Sequence, residues 1–275
     1  IFVYSDGMSQ LGYYLSSVAD SIYLHPVSHL EWKGLSAQLM YFKSMLTKIG
    51  VKAEPIRVGK FKSAIEPFIL DSMSAENEKQ VKALLSDLWS EIVQEISKER
   101  NIKENILEKT ADNLGYLLPK EAIKLGFIDG VKYEDEIWSL LRKNVYEDFH
   151  LVTVSNYNEI NKNINLEEDK IVVVYAEGRI VDKKTETDIS AYQYSKILDN
   201  ILKDEKVKAV VVRVNSPGGS AKASEKIWRK LTLINKNVPV IISMGNMAAS
   251  GGYYIATAGD TILAEKNTIT GSIGV

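Results

Sequence analysis

Ser250 is the residue around which the chemistry of this chain can be built. A β-branched run before it (Val238, Val240, Ile241, Ile242) reads as a buried strand. The small residues Ala248-Ala249-Ser250-Gly251-Gly252 read as a turn, and Tyr253-Tyr254-Ile255-Ala256 after them as a helix. A strand that feeds such a turn aims backbone N–H groups at one place. That place favours developing negative charge, including the oxyanion of an acyl-transfer intermediate. Ser250 is therefore the candidate nucleophile.

A serine needs a base. The three histidines, His25, His29 and His150, lie in no Gly-x-Ser-x-Gly elbow or other catalytic setting. They read as surface or structural residues. A lysine can serve if it is neutral near pH 7, which means lowering a value of about 10.4 by roughly three units, at about 4 kcal/mol. Apolar surroundings can do this. Lys62 has them in Phe61, Ile65, Pro67 and Phe68, and Lys60 is its nearest rival. A second glycine turn, Asn215-Ser216-Pro217-Gly218-Gly219, comes after the apolar strand Lys208-Ala209-Val210-Val211-Val212-Arg213-Val214. Parallel neighbours bring such turns to one sheet edge. An N–H of Gly218 or Gly219 could then join that of Gly251 in an oxyanion hole. These glycines match neither the Gly-x-x-x-x-Gly-Lys nor the Gly-x-Gly-x-x-Gly phosphate cradle.

The elements that must position these groups are those of a globular α/β chain. Its 275 residues are 45% hydrophobic and 25% charged, with a net charge of −2. That near-neutral balance implies no nucleic-acid partner. Without cysteine, disulfides and thiolate zinc sites are excluded, and no His cluster has ligand spacing, so no metal or cofactor is expected. The uncharged stretch 237–259 is long enough to span a bilayer, but Pro239, Asn246 and four glycines argue against that. The chain starts at Ile1 without a signal-peptide pattern and stops at Val275 in mid-domain, so both flanks are expected to be missing.

Residues 1–35 echo the C-terminal stretch. Ile1 matches Ile241, Gly12-Tyr13-Tyr14 matches Gly252-Tyr253-Tyr254, Asp20 matches Asp260, Ile22 matches Ile262 and Gly34 matches Gly274, all at a constant offset of 240. A single offset over some 35 residues indicates duplication. The counterpart of Ser250 is Gln10 and that of Gly251 is Leu11, so only the second copy carries the hydroxyl.

Between the copies, the spacing predicts helices over 36–49, 74–101, 119–126 and 134–143, and a strand over 51–58. The long helix shows Val81, Leu84, Leu88, Ile92 and Ile96 on one face. A polar stretch from 148 to 170 reads as a joint. The expected division is a first repeat over 1–150, a linker over 151–169 and a second repeat over 170–275. In the second repeat, strands near 171–175 and 208–214 and the one from 238 alternate with helices over 190–202 and 223–234. Near-continuous apolar strands in this alternation predict a parallel sheet covered on both faces.

The segments Arg213-Val214-Asn215-Ser216-Pro217-Gly218-Gly219-Ser220, Met247-Ala248-Ala249-Ser250-Gly251-Gly252-Tyr253-Tyr254 and Thr270-Gly271-Ser272-Ile273-Gly274-Val275 resemble the signal peptide peptidase A family in its long, internally duplicated form. Arg57-Val58-Gly59 followed by Phe61-Lys62-Ser63-Ala64-Ile65-Glu66-Pro67-Phe68 is similar to that form's lysine segment and favours Lys62 over Lys60. The resemblance covers nearly the whole chain. It implies two tandem domains of the Clp-protease/crotonase-like fold, α/β with parallel sheets flanked by helices, both incomplete here. It also implies a Ser–Lys dyad, Ser250 from the second domain and Lys62 from the first, with Gly251 and the Gly218-Gly219 turn binding the oxyanion. The substrates it implies are peptides such as cleaved signal peptides. The enzyme it implies is a homo-oligomer, a tetramer, held at the bacterial inner membrane by an N-terminal anchor and facing the periplasm. Two other readings compete: a crotonase-like acyl-CoA enzyme, which gives Ser250 and Lys62 no role, and a non-catalytic peptide-binding pseudo-peptidase.

Overall fold

The computed structural model describes residues 1–56, 59–113, 115–144, 151–160 and 169–273. The chain divides into two units, one of Ile1–Glu54 with Ser63–Lys162, the other of Pro55–Lys62 with Asn163–Val275.

The first unit holds β1 (Phe2–Ser5), α1 (Gln10–Ser16), β2 (Ser21–Leu24), β3 (Leu30–Trp32), α2 (Lys43–Lys48), α3 (Glu66–Ile69), α4 (Ala75–Arg100), α5 (Glu104–Asp112), β4 (Gly115–Leu117), α6 (Pro119–Lys124), β5 (Gly130–Val131), α7 (Glu134–Asn144) and α8 (Val154–Ile160). β1, β2 and β5 form a parallel sheet, and β3 pairs with β4 antiparallel. Tyr13, Trp32 and Phe127 pack on one another at its centre, all fully buried. The Trp32 indole N–H is satisfied by Leu107 O at 2.8 Å. The long helix α4 has the sharpest ends: the Ser74 hydroxyl accepts from Asn77 N, and Asn101 closes it in the left-handed conformation.

Two expectations fail in this unit. The helix expected over 36–49 shrinks to α2, and no strand forms over 51–56. Leu39, Met40, Met45, Ile49, Val51 and Ile56 are all exposed. Among the described residues these side chains find no element to bury against, α2 meeting only the short α3, and periodicity without such a partner does not stabilise a helix or a strand. In α4 the predicted face is buried only at its C-terminal end, where Ile92, Val93 and Ile96 reach the core and Leu84 stays exposed.

The second unit holds β6 (Lys170–Glu177), β7 (Ile180–Val181), β8 (Ile189–Ser190), α9 (Ala191–Lys203), β9 (Val207–Ser216), α10 (Ala221–Asn235), β10 (Val240–Ala249), α11 (Gly251–Ala256), β11 (Thr261–Leu263) and β12 (Ile269–Gly271). Its parallel sheet runs β11-β10-β9-β6, with β12 also on β10. Val174, Val212, Val214 and Ile242 from the strands share one core with Leu198, Ile227, Leu231 and Ile255 from α9, α10 and α11. The sheet is thus covered on one face by these helices, while Ile171, Val173 and Tyr175 on the other face of β6 are exposed. The expectation of two covered faces is corrected here, and the cause is topological. The strands succeed one another across the sheet without reversing, so crossovers of one hand put every helix on the same side.

The uncharged stretch 237–259 is β10 and α11. Among the described residues no helix is long and apolar enough to cross a membrane.

The two halves of the sequence echo fold alike. β1-α1-β2 repeats as β10-α11-β11, both strand pairs parallel, with Ile22 facing Val3 in one and Ile262 facing Ile242 in the other, a register that differs by one residue at the offset of 240. The lone bridge of Met8 to Leu30 recurs at the same offset as Ala248 to Thr270.

Candidate active site

Ser250 is the N-cap of α11, held at φ 51° and ψ −118°. Among the described residues the other non-glycines at positive φ are Asn101 and Ser272. Such a conformation costs a non-glycine residue about 1–3 kcal/mol and persists only where its surroundings impose it. Ser250 N donates to Gly271 O at 2.9 Å, and Tyr254 N to Ser250 O at 2.9 Å, so both sides of the peptide are fixed. The side chain makes no capping bond and is exposed, and its Oγ has no partner among the described residues. β10 thus ends by presenting a free hydroxyl, not by capping its helix with it.

The glycine turn after β9 lies directly against this serine. A Cβ added to Gly218 would stand 2.5 Å from Gly251 N, 2.8 Å from Ser250 Cβ and 2.9 Å from Ala249 O. Gly218 also sits at φ 90°. The absence of a side chain lets the two turns meet. The Gly218 N–H is already used, donating to Ser216 Oγ at 3.1 Å. Gly219 N and Gly251 N have no acceptor among the described residues. A Cβ at Gly251 would lie 3.3 Å from Gly219 N and would collide with Ser224 Oγ, so these two glycines are also close neighbours. Of the three candidate glycines, Gly219 and Gly251 have N–H groups to offer and Gly218 supplies room.

Behind this turn, Ile180 brackets Gly219: Ile180 N donates to Gly218 O at 2.9 Å and Ser220 N to Ile180 O at 2.8 Å. Ser220 then caps α10, accepting from Ala223 N, and its hydroxyl donates to Asp182 at 2.9 Å. Lys226 donates to the same carboxylate at 2.8 Å. The bond from Lys226, then that from Ser220, holds Asp182 below the usual carboxylate range.

Lys62 is half-buried, Lys60 exposed. The sequence assigns both to the first repeat, yet Pro55–Lys62 belongs by its contacts to the second unit, the one that carries Ser250. From Ser63 onward the chain belongs to the first unit. There Glu66, fully buried, accepts from Ser74 Oγ at 2.6 Å and Asn77 Nδ2 at 3.0 Å, at the start of α4. Sequence reading missed this anchor; its signal was a glutamate four residues after the lysine, followed by Pro67.

His25 and His29 stand edge-on to Tyr133 and Tyr116 in the first unit. His150, Arg57, Val58, Gly274 and Val275 lie outside the described residues. In the first copy, Gln10 occupies the place of Ser250 but is the first residue of α1, with Ser9 as an ordinary cap at φ −72°. Its Oε1 accepts from Lys33 N at 2.9 Å and Gly34 N at 3.0 Å, and its Nε2 donates to Gly34 O at 3.1 Å. The amide fills the degenerate site and leaves no free hydroxyl there.

A family model described as peptidase family S49 matches residues 1–146 and 232–275. The chain is 38% identical over its whole length to "Protease 4" of Haemophilus influenzae and 33% identical to that of Salmonella typhi, covering 47% and 46% of those proteins. It is 33% identical over 96% of its length to "Serine protease SPPA, chloroplastic" of Arabidopsis thaliana, covering 40% of that protein. The chain thus spans less than half the length of these relatives. Among solved structures, ClpP1 from Listeria monocytogenes aligns over 32% of this chain and 46% of that one, at 23% identity and a TM-score of 0.27.

Proposed function

We propose, since the chain belongs to peptidase family S49, that it contributes the reacting groups of a serine peptidase, with Ser250 as nucleophile and Lys62 as its base. The observation that carries this reading is the exposed hydroxyl of Ser250 on a strained backbone, beside two N–H groups, none of the three having a partner among the described residues. Lys62, acting as the base, takes the Ser250 proton as Oγ attacks a peptide carbonyl. The carbonyl oxygen becomes an oxyanion held by Gly219 N–H and Gly251 N–H, donors fixed before the substrate arrives. Lys62 returns the proton to the leaving amine. Water, deprotonated by the same amine, then releases the acyl group from Ser250. Membership of Lys62 and Ser250 in one compact unit supports the pairing.

The substrates are apolar peptides, cleaved signal peptides among them, and the working enzyme is a membrane-associated homo-oligomer of the periplasmic face. The names of the relatives, "Protease 4" and "Serine protease SPPA", support peptide substrates. The test is hydrolysis of an apolar peptide amide by the full-length protein. Ser250→Ala and Lys62→Ala are each expected to abolish it; full activity in either moves the chemistry elsewhere.

A further inference from the structure

β10 does not run evenly to its serine. It pairs with β9 from Val240 to Met244, where Met244 faces Val214, and next at Ala248, which faces Ser216. β10 therefore advances four residues where β9 advances two, and Gly245, Asn246 and Met247 have no paired residue on β9. At the same place β10 changes its other neighbour, from β11 at Ser243 to β12 at Met247. A bulge of this kind bends a strand and re-aims the residues beyond it. Beyond this bulge lie Ala248, Ala249 and Ser250.

The polar groups of this bulge are held by side chains. Met247 N donates to Asn215 Oδ1 at 3.2 Å. Thr268 Oγ1, from the turn before β12, donates to Gly245 O at 2.9 Å. Arg213 Nη1 donates to Met244 O at 2.8 Å. Gly245 leaves space for Asn215, since a Cβ there would meet Asn215 Cβ at 3.1 Å and Cγ at 3.2 Å. The first copy differs. Thr268 corresponds to Ser28, whose hydroxyl turns instead to His25 O at 2.7 Å. The Thr268 contact is present in the copy that carries the serine and absent from the copy that carries Gln10.

We infer that Asn215 and Thr268 are positioning residues for the Ser250 reaction: by bracketing the bulge they set where the end of β10 delivers Ser250 relative to the Gly219 and Gly251 N–H groups. The inference rests on Ser250 being the nucleophile. Neither residue touches the reacting atoms. Asn215 supplies one acceptor, and the Thr268 hydroxyl both donates to Gly245 O and accepts from Glu265 N at 3.1 Å, so an acceptor at 215 and a hydroxyl at 268 can replace them.

The experiment measures kcat and KM of the full-length protein on an apolar peptide p-nitroanilide, with thermal melts alongside. Asn215→Ala and Thr268→Val are expected to lower kcat about 10- to 100-fold, as small misplacements of reacting groups do, with KM changed less than about twofold. Asn215→Asp and Thr268→Ser are expected to restore kcat to within about threefold, since each keeps the required group. Should Asn215→Ala fail to fold, the isosteric Thr268→Val reads the same bulge from its other side. Unchanged kcat in folded Asn215→Ala or Thr268→Val overturns the inference, and so does failure of both conservative variants to restore it. Inactive Ser250→Ala alongside a fully active Asn215→Ala overturns the bracket alone. Activity surviving in Ser250→Ala overturns the reading beneath it.

Discussion

Gly218 and Gly251 approach so closely that a single methyl group on the first would lie 2.5 Å from the backbone nitrogen of the second. The nearest atoms are backbone, which cannot swing aside. Gly218→Ala therefore has to separate the two turns, and it also places alanine at φ 90°. The expected result is a stability loss of about 1–3 kcal/mol from backbone strain and overpacking, read by denaturant unfolding. Hydrolysis should fall at least about 100-fold, because the Gly219 and Gly251 N–H groups lose their common focus.

The strain at Ser250 predicts a trade between stability and function. Glycine tolerates φ 51°, whereas alanine keeps the Cβ that makes it unfavourable. Both Ser250→Gly and Ser250→Ala should be inactive. Ser250→Gly should also be the more stable of the two, by about 1 kcal/mol, as seen in the difference of their denaturation midpoints. Equal midpoints would mean that the surroundings relax around alanine.

Glu66 ties the segment after Lys62 to the start of α4, through Ser74 and Asn77. Removing its carboxylate leaves buried donors unsatisfied, at about 1–3 kcal/mol. Glu66→Ala is expected to lower stability by that order and to reduce kcat, because the segment that follows Lys62 loses its tie to the start of α4. Glu66→Gln keeps an acceptor and should lose less of both. Thermal melts paired with kinetics check this, and a Glu66→Ala protein as active as wild type would leave the anchor without a role in the reaction.

Gln10 closes the degenerate site with three hydrogen bonds to Lys33 and Gly34. Gln10→Ser places a serine at the position that matches Ser250 yet should restore no activity in a Ser250→Ala background. The first copy keeps an ordinary helix cap at Ser9, not a strained serine, and has Leu11 where Gly251 stands. The substitution should cost about 1–2 kcal/mol through the backbone groups it leaves unpaired. A double mutant that hydrolyses peptide would show that the first copy retains a working site.

The alternation of apolar strands and helices in 170–256 was legible because β-branched runs such as Val210-Val211-Val212 favour a pleated, at least half-buried strand. Ser250 and its glycines were legible as a strand-turn-helix junction. The positive φ of Ser250 was not, because neighbours impose it: Gly271 O, the Gly218 turn and the bulge before it. The bulge itself was hidden, since Gly245-Asn246 reads equally well as a turn and only the pairing to β9 shows its register. The opposite error occurred at 51–56, where an apolar rhythm suggested a strand that no neighbour pairs. Local pattern gives the surface that seeks burial; whether a partner meets it is a property of the tertiary structure.

Asp182 is expected to give the glycine turn a dependence on acid. It accepts from Ser220, the residue after Gly219, and from Lys226, and these contacts hold its carboxyl below the usual range. A depressed folded-state value means that the unfolded chain takes up the proton first. The stabilisation is therefore present above the ordinary carboxylate range and is lost as the pH falls through the lower folded value. Asp182→Asn removes the charge at every pH. Its melting temperature should lie below that of wild type near neutrality, by a small amount because the pair is exposed, and the two should converge in acid. The fall in wild-type stability between neutrality and acid should be correspondingly shallower in the variant. Parallel curves over that range would show that Asp182 does not couple the turn to protons.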